Sequence, residues 1–392
     1  MIDIKSQIIK PALNLEDVRV VASAEGWKLA DLRSLGFFLN RNFKYRRAIR
    51  ITEQSGSDLT DYQVLIELNS TNFDFSHAQT NGEDIRFTGA SGNLLDYWIE
   101  EWDAVNEKAK VWVKVPSIPA NGTIEIYCYY GNEEITDASD VVATFIRVID
   151  GLVASWHFDE GSGTTAYDTS GNDNDGTIYG GATWVDGKFG KALNFDGSDD
   201  YVTIPHDTSF DVDTVTITAW FNAAVLGRKW RKIVCHPYYD DEWSSPYVVY
   251  GLAIDNADKI FGQVSIGSST FYAYGPSLST NTWYFAAVTY DGEVLKLYLN
   301  AIEKASNPNP SGNLNHRSTK IHIAKAYDTN NTELFEGIID EVCIYNRALT
   351  PDEISDLYNN YGYTTENYPG KVLVCKYAEP EPSISIGGEE SA

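Results

Sequence analysis

The chain is short of several things, and each shortage closes off a class of protein. It has one Met among 392 residues, against 30 Gly and an aromatic content of 13%. That balance fits strands and tight turns better than helical bundles. Basic charge is scarce: 30 Lys and Arg face 56 Asp and Glu, a net charge of −26. A field of that sign repels phosphate backbones and anionic membrane surfaces, so neither nucleic acid nor membrane insertion is expected. It attracts divalent cations instead. No apolar run approaches the roughly 18–20 residues of a membrane span. The N-terminal "MIDIKSQIIKPALNLEDVRV" lacks an apolar core of signal-peptide length, and charged residues precede the "ASA" at Ala22–Ala24. Cysteine is limited to Cys128, Cys235, Cys343 and Cys375, with no CxxC pair, which argues against zinc. Three of them sit in strand-like runs. Free, half-buried thiols are the first reading, and three complete disulfide pairings stay open. Signatures of common catalysts (GxSxG, HExxH, a P-loop) are missing, and the six His are scattered.

What is present is strand pattern. With 43% hydrophobic residues a sizeable core can be buried, and the length suggests two or three domains. Residues 41–147 read as a β-sandwich. "RRAIRIT", "YQVLIEL", "EDIRFTG", "LLDYWIEEW", "AKVWVKV" and "TIEIYCYYG" alternate polar and apolar residues between Gly-, Asn- and Pro-bearing separators. Residues 148–362 repeat the pattern at larger scale. In "TVTITAWF", Val215, Ile217, Ala219 and Phe221 share one face, and Thr214, Thr216, Thr218 and Trp220 the other. Asp291–Gly292 marks a hairpin turn. One helix is expected in "LTPDEISDLYNNYG", with Thr350 as N-cap, Pro351 first, Glu353 closing a capping box and Gly362 ending it. Residues 1–40 read as an attachment segment with helix-like spacing over "EGWKLADLRSLGFFL". Residues 363–392 read as a strand and an acidic, linker-like tail. The fold class is therefore all-β, two tandem antiparallel sandwiches with one short C-terminal helix.

Three blocks carry a resemblance. "LVASWHFDEGSGTTAYDTSGNDNDGTIYGGATWVDGKFGKALNFDGSDDYVTIP", "NTWYFAAVTYDGEVLKLYLN" and "FEGIIDEVCIYNRALTPDEISDLY" resemble, in order, the opening, central hairpin and close of the concanavalin A-like, laminin-G-like (LamG) jelly roll. "YRRAIRIT", "GEDIRFTGASGNLLDYWIEEW" and "KAKVWVKVPSIPANGTIEIYCYYGN" are similar to a small β-sandwich family of unknown function that often precedes LamG domains. Two departures stand out: "YLNA" replaces an Asp-Gly turn, and Asp173 and Asp175 stand where Gly and His are more usual.

The loop "DTSGNDNDGT" supplies the oxygens that a hard cation such as calcium takes. It fails as an EF-hand, since a Gly at the sixth position (Gly176) puts Ala182 at the twelfth. The resemblance implies a different ion site, with Asp168, Asn174 and Asn172 joined by Asp340 from the "IIDEV" strand. An Asx-rich turn without an ion is the competing reading. Asp340 and Glu341 are adjacent on a strand, so at most one is expected to point inward. Asp196, Asp199 and Asp200 read as a solvated turn. Glu101 and Asp103 lack the third acid of a glucanase strand. For ligand binding, "KWRKIVCHPYYDDEWSSPYVVYG" offers Trp230, Tyr238, Tyr239, Asp241, Trp243 and Tyr247, aromatic faces beside carboxylates, as suits a sugar.

The expected function is a non-catalytic structural or recognition protein with a lectin-like domain for host-surface glycans. An outside role without an export signal is met by a virion fibre, spike or decoration protein, in a homo-oligomer or larger assembly. The alternatives are an extracellular or cell-surface adhesin and, less favoured, a polysaccharide-active enzyme.

Overall fold

A computed structural model describes Ala22–Ser23, Gly26–Trp27, Leu39 and, from residue 42 onward, all residues except 228–229, 243, 328 and 330–332. Most of the attachment segment read at residues 1–40 lies outside the described residues. Within its stretch of helix-like spacing, Gly26–Trp27 pairs with Ala22–Ser23 as a two-residue antiparallel ladder. The chain divides into two compact units. The first comprises residues 1–144 and 378–392, the second residues 145–377, so the second is inserted into the sequence of the first.

The first unit is a two-sheet sandwich. One sheet runs Ser383–Ser391, Tyr45–Thr52, Thr123–Tyr130, Arg86–Gly89, Leu94–Leu95. The other runs Leu59–Asn69, Lys108–Ile118, Tyr97–Asp103. Period-two alternation sends Ile49, Ile51, Ile66, Val111, Val113 and Ile126 into the core between them. The acidic tail is thus not a linker. Its "SISI" alternation lets Ser383–Ser391 pair antiparallel with Tyr45–Thr52. Ile384 and Ile386 pack on the core, and Glu390 bonds Arg46 at 2.6 Å. The Asn121–Gly122 turn forms as expected, with Asn121 at φ 52° and Gly122 N–H donating to Pro119 O.

The second unit is a jelly roll of two eight-stranded sheets. The closing strand, Glu336–Tyr345, lies in the middle of one sheet, between Lys191–Asp196 and Val215–Ala223, and also pairs with the opening strand Leu152–Trp156. The other sheet runs Thr165–Ala166, Gly176–Tyr179, Tyr201–Ile204, Ile321–Ile323, Arg231–Pro237, Val248–Ile254, Lys259–Ile266, Ser269–Ser277. Trp156, Phe195, Ile217, Phe221, Leu252 and Val288 fill the space between them. The Thr face of "TVTITAWF" is not left to solvent. A third layer, made of Arg147–Asp150, Lys371–Cys375, Tyr361–Tyr363 and the helix Pro351–Asn359, covers it. Thr216, Thr218 and Trp220 are buried in consequence. The helix begins with the expected capping box, Thr350 and Glu353 bonding each other's backbone N–H. It ends at Asn360; Gly362, expected to stop it, lies in the following strand. "YLNA" turns at Asn300 (φ 51°) and Ala301 (φ 60°), the geometry an Asn-Gly pair usually supplies. All four cysteines are free and buried, and burial pushes the Cys235 and Cys343 thiols up to about 12. No helix among the described residues is long and apolar enough to cross a membrane.

Candidate functional site

Asp168 sits at the corner where the Asx-rich loop meets the opening strand. Its Oδ1 accepts Ser155 N–H (2.8 Å) and Ser170 N–H (3.0 Å). Its Oδ2 accepts Ser170 O–H (2.7 Å) and Asn174 N–H (2.9 Å). Asn174 donates its side-chain amide to Val153 O (3.0 Å) and Ser209 Oγ (3.0 Å), and Asn172 also donates to Val153 O (2.9 Å). The three loop residues therefore converge as expected, but on backbone groups. A carboxylate whose lone pairs already meet four protein donors is a poor ligand for calcium, and the turn reading accounts for each of these bonds.

Asp340 is held elsewhere. Its Oδ2 accepts the N–H groups of Lys188 (2.7 Å) and Phe189 (3.2 Å), while Oδ1 is buried with no hydrogen-bond partner. The four residues are thus not gathered as one ion's ligand set. Nor do Asp340 and Glu341 point to opposite faces. Glu341 has φ 52°, and two closing-strand residues, Glu341 and Val342, oppose Ala219 alone. Ile339 and Val342 both enter the inter-sheet core. This β-bulge turns the two acids between them to the outer face, under the third layer. There His157 Nδ1 meets Glu341 at 2.9 Å and Nε2 meets Thr364 Oγ1 at 2.7 Å. Burial opposes the imidazolium, but the charge and hydrogen bond of Glu341 outweigh it and raise the His157 pKa. Burial raises Glu341 as well, against the pull of His157. Burial, then the charge of Glu341, raises Asp340 well above the usual carboxyl range. A cavity of about 20 Å³, room for one water, adjoins Glu341, Thr218, Trp220 and Asn360. His157, Asp340 and Glu341 are all buried beneath the third layer.

Among the described residues, one group of His, Cys, Asp or Glu has metal-ligand spacing: Asp196, Asp199 and Asp200. Asp196 Oδ1 already accepts Ser198 N–H (2.7 Å) and Asp200 Oδ2 accepts Asp196 N–H (2.9 Å); Asp196 and Asp199 are exposed as a solvated turn would have them, but Asp200 is buried. Glu101 is paired with Lys108, and Asp103 accepts the N–H groups of Val105 and Asn106.

The aromatic set is divided. Trp230 and Tyr238 flank opposite ends of Arg231–Pro237, a strand that spans about 20 Å. Trp230 meets Phe261 edge to face at 5.4 Å, with Lys232 Nζ 5.8 Å from its ring. Tyr238 and Tyr239 meet at 4.9 Å at the other end. Tyr247 joins them through its carbonyl, which accepts Tyr238 N–H. Asp240 Oδ1 accepts Lys320 N–H, and Asp241 is exposed. Trp243 lies outside the described residues. The residue that sequence reasoning missed is Arg317. Its guanidinium carbon stands 3.7 Å from the Tyr238 ring centre and 5.6 Å from that of Tyr239. No motif surrounds it; its signal is a lone Arg in a loop of a strongly acidic chain.

Two stacked eight-stranded sheets, the opening and closing strands paired and an aromatic loop at one end of the second sheet, define the second unit as a concanavalin A-like jelly roll of lectin-like fold. The family comparison agrees. Residues 196–355 match the concanavalin A-like lectin/glucanases superfamily, and residues 81–184 match a domain family of unknown function. The second match runs past the division at residues 144 and 145 and takes in the opening strand of the jelly roll. No curated protein matches the chain. Among solved structures, the chain is similar to domain 4 of an extracellular GH43 arabinanase from Geobacillus stearothermophilus, solved with arabinotriose. That likeness is 21% identical, covers 53% of this chain and 98% of that one, and has a TM-score of 0.40. It is also similar to the binding domain of Paraclostridial Mosquitocidal Protein 1 (17% identity, 56% and 55% covered, TM-score 0.43). The receptor binding domain of botulinum neurotoxin mosaic serotype C/D gives 17%, 54%, 52% and 0.42. The chain spans about half the length of these two toxin domains.

Proposed function

We propose that this chain is a non-catalytic recognition protein, displayed on a virion or a cell surface, whose jelly roll binds a glycan at the loop bearing Tyr238 and Tyr239. The observation that carries the reading is the juxtaposition of these two half-buried rings with the Arg317 guanidinium. Rings of this kind stack on pyranose faces, and charged groups beside them bond hydroxyls and ring substituents. The acids of the jelly roll support a binding role over a hydrolytic one, because Asp340 and Glu341 are buried and Asp168 is bonded to four donors.

A saccharide array probed with the full chain tests the binding. Tyr239→Ala is expected to weaken capture by about tenfold, the value of one aromatic contact of ~1.4 kcal/mol, with the melting temperature unchanged. Capture of no saccharide, or undiminished capture by the variant, would remove the site. Release of reducing sugar from a bound polysaccharide would replace recognition by catalysis. Immunogold labelling of the native source separates the two carriers: label on released particles makes it a virion component, and label on the cell envelope an adhesin.

A further inference from the structure

We infer that the Tyr238–Tyr239–Arg317 site takes an anionic saccharide, its carboxylate or sulfate group received by the Arg317 guanidinium. The inference rests on the glycan reading above and adds the class of sugar. Every other described arginine donates a side-chain hydrogen bond to an oxygen, most often of a carboxylate. Among the described residues Arg317 donates none, and its Nε is buried without a partner there. In a protein of net charge −26, an unpaired guanidinium is not for want of acids. Those near it in sequence or loop are placed otherwise: Asp240 accepts Lys320 N–H, Asp213 meets the neighbouring His316 at 3.1 Å, and Asp241 stands exposed.

The guanidinium is held instead by rings, 3.7 Å from the centre of Tyr238. Stacking of this kind fixes the cation and leaves its N–H groups for an outside acceptor. A planar fork of donors matches a carboxylate in bidentate fashion and also meets the oxygens of a sulfate ester. The acidic surface elsewhere does not cancel the attraction, since exposed charges beyond about 8 Å are screened at physiological ionic strength. Ring faces for the pyranose and one fixed cation for its anionic substituent together define the ligand class.

The test uses the full chain on saccharides in matched neutral, carboxylate-bearing and sulfated forms. An acidic form is expected to bind about tenfold or more tighter than its neutral counterpart, the worth of a charge-assisted bond of ~1.5 kcal/mol. Arg317→Gln is expected to abolish that preference and leave the melting temperature in place. Which acidic form is preferred identifies carboxylate or sulfate as the source. Equal binding of neutral and acidic forms, or a preference that survives Arg317→Gln, overturns the inference and leaves the glycan reading standing. Failure to bind any form overturns both. Should the variant not fold, the wild-type preference is followed from low to high salt. It is expected to shrink, and a preference indifferent to salt overturns the inference.

Discussion

Two buried carboxylates of the jelly roll, Asp168 and Asp340, come from similar-looking sequence and meet opposite fates. Asp168 lies in a loop of Asx residues that folds back on itself, so each of its lone pairs finds a local N–H or O–H. Asp340 lies on a strand beside a bulge, where two amides serve one oxygen and nothing serves the other. The first is a knot that ties loop to strand. The second, next to Glu341, is driven toward its neutral form. What separates them is not acidity or depth but the number of donors the backbone brings within reach.

The largest effect expected from breaking this contrast is Asp168→Ala. It strands three buried N–H groups and a hydroxyl, and should cost about 3–5 kcal/mol in the denaturant transition of the second unit. A loss below 1 kcal/mol would mean that water replaces the carboxylate. Next comes pH. His157, Glu341 and Asp340 all have folded pKa values raised above their ordinary ones. The native state therefore binds more protons than the unfolded chain, and stability falls as pH rises. The carboxyl part is fully present below the ordinary carboxyl range and is lost as pH climbs through the raised values. The histidine part is present below its ordinary value near 6.5 and is lost above its raised one. Thermal melts across mildly acid to mildly alkaline pH should show the decline, and Asp340→Asn should flatten it. A stability that rises with pH over that window would contradict the cluster's electrostatics. The smallest effect is Ser170→Ala, which removes one of the four donors to Asp168. About 1–2 kcal/mol is expected by the same denaturation measurement. A loss equal to that of Asp168→Ala would show that the knot fails as a whole.

Much of the fold was legible in the sequence, because strand alternation and capping are local. "TVTITAWF" and the Thr350–Glu353 box needed only near neighbours, whereas the two-residue turn expected at Asp291–Gly292 is a four-residue loop between the paired Tyr290 and Leu295. Three features depend on distant ones. The Thr face of Val215–Ala223 is covered by segments that begin at Arg147 and Tyr361. The bulge at Glu341 reverses a face without any Gly or Pro to mark it. The tail's acids and paired glycines masked the isoleucine alternation of Ser383–Ser391. The candidate site was half legible. Tyr238 and Tyr239 stood in one aromatic run, whereas Arg317 reaches them from a loop that only the sheet brings near. Trp230 was grouped with them by closeness in sequence, which an extended strand turns into distance in space.

The pairing of Ser383–Ser391 with Tyr45–Thr52 also sets an order of events during synthesis. The ribosome makes all of residues 145–377 after the rest of the first unit and before the strand that completes its sheet. Through that interval the Tyr45–Thr52 edge holds a row of N–H and C=O groups with nothing beside it, a template for any passing strand. The inserted jelly roll has its own core and can fold in the meantime. The unit whose sequence begins first is then the one that finishes last.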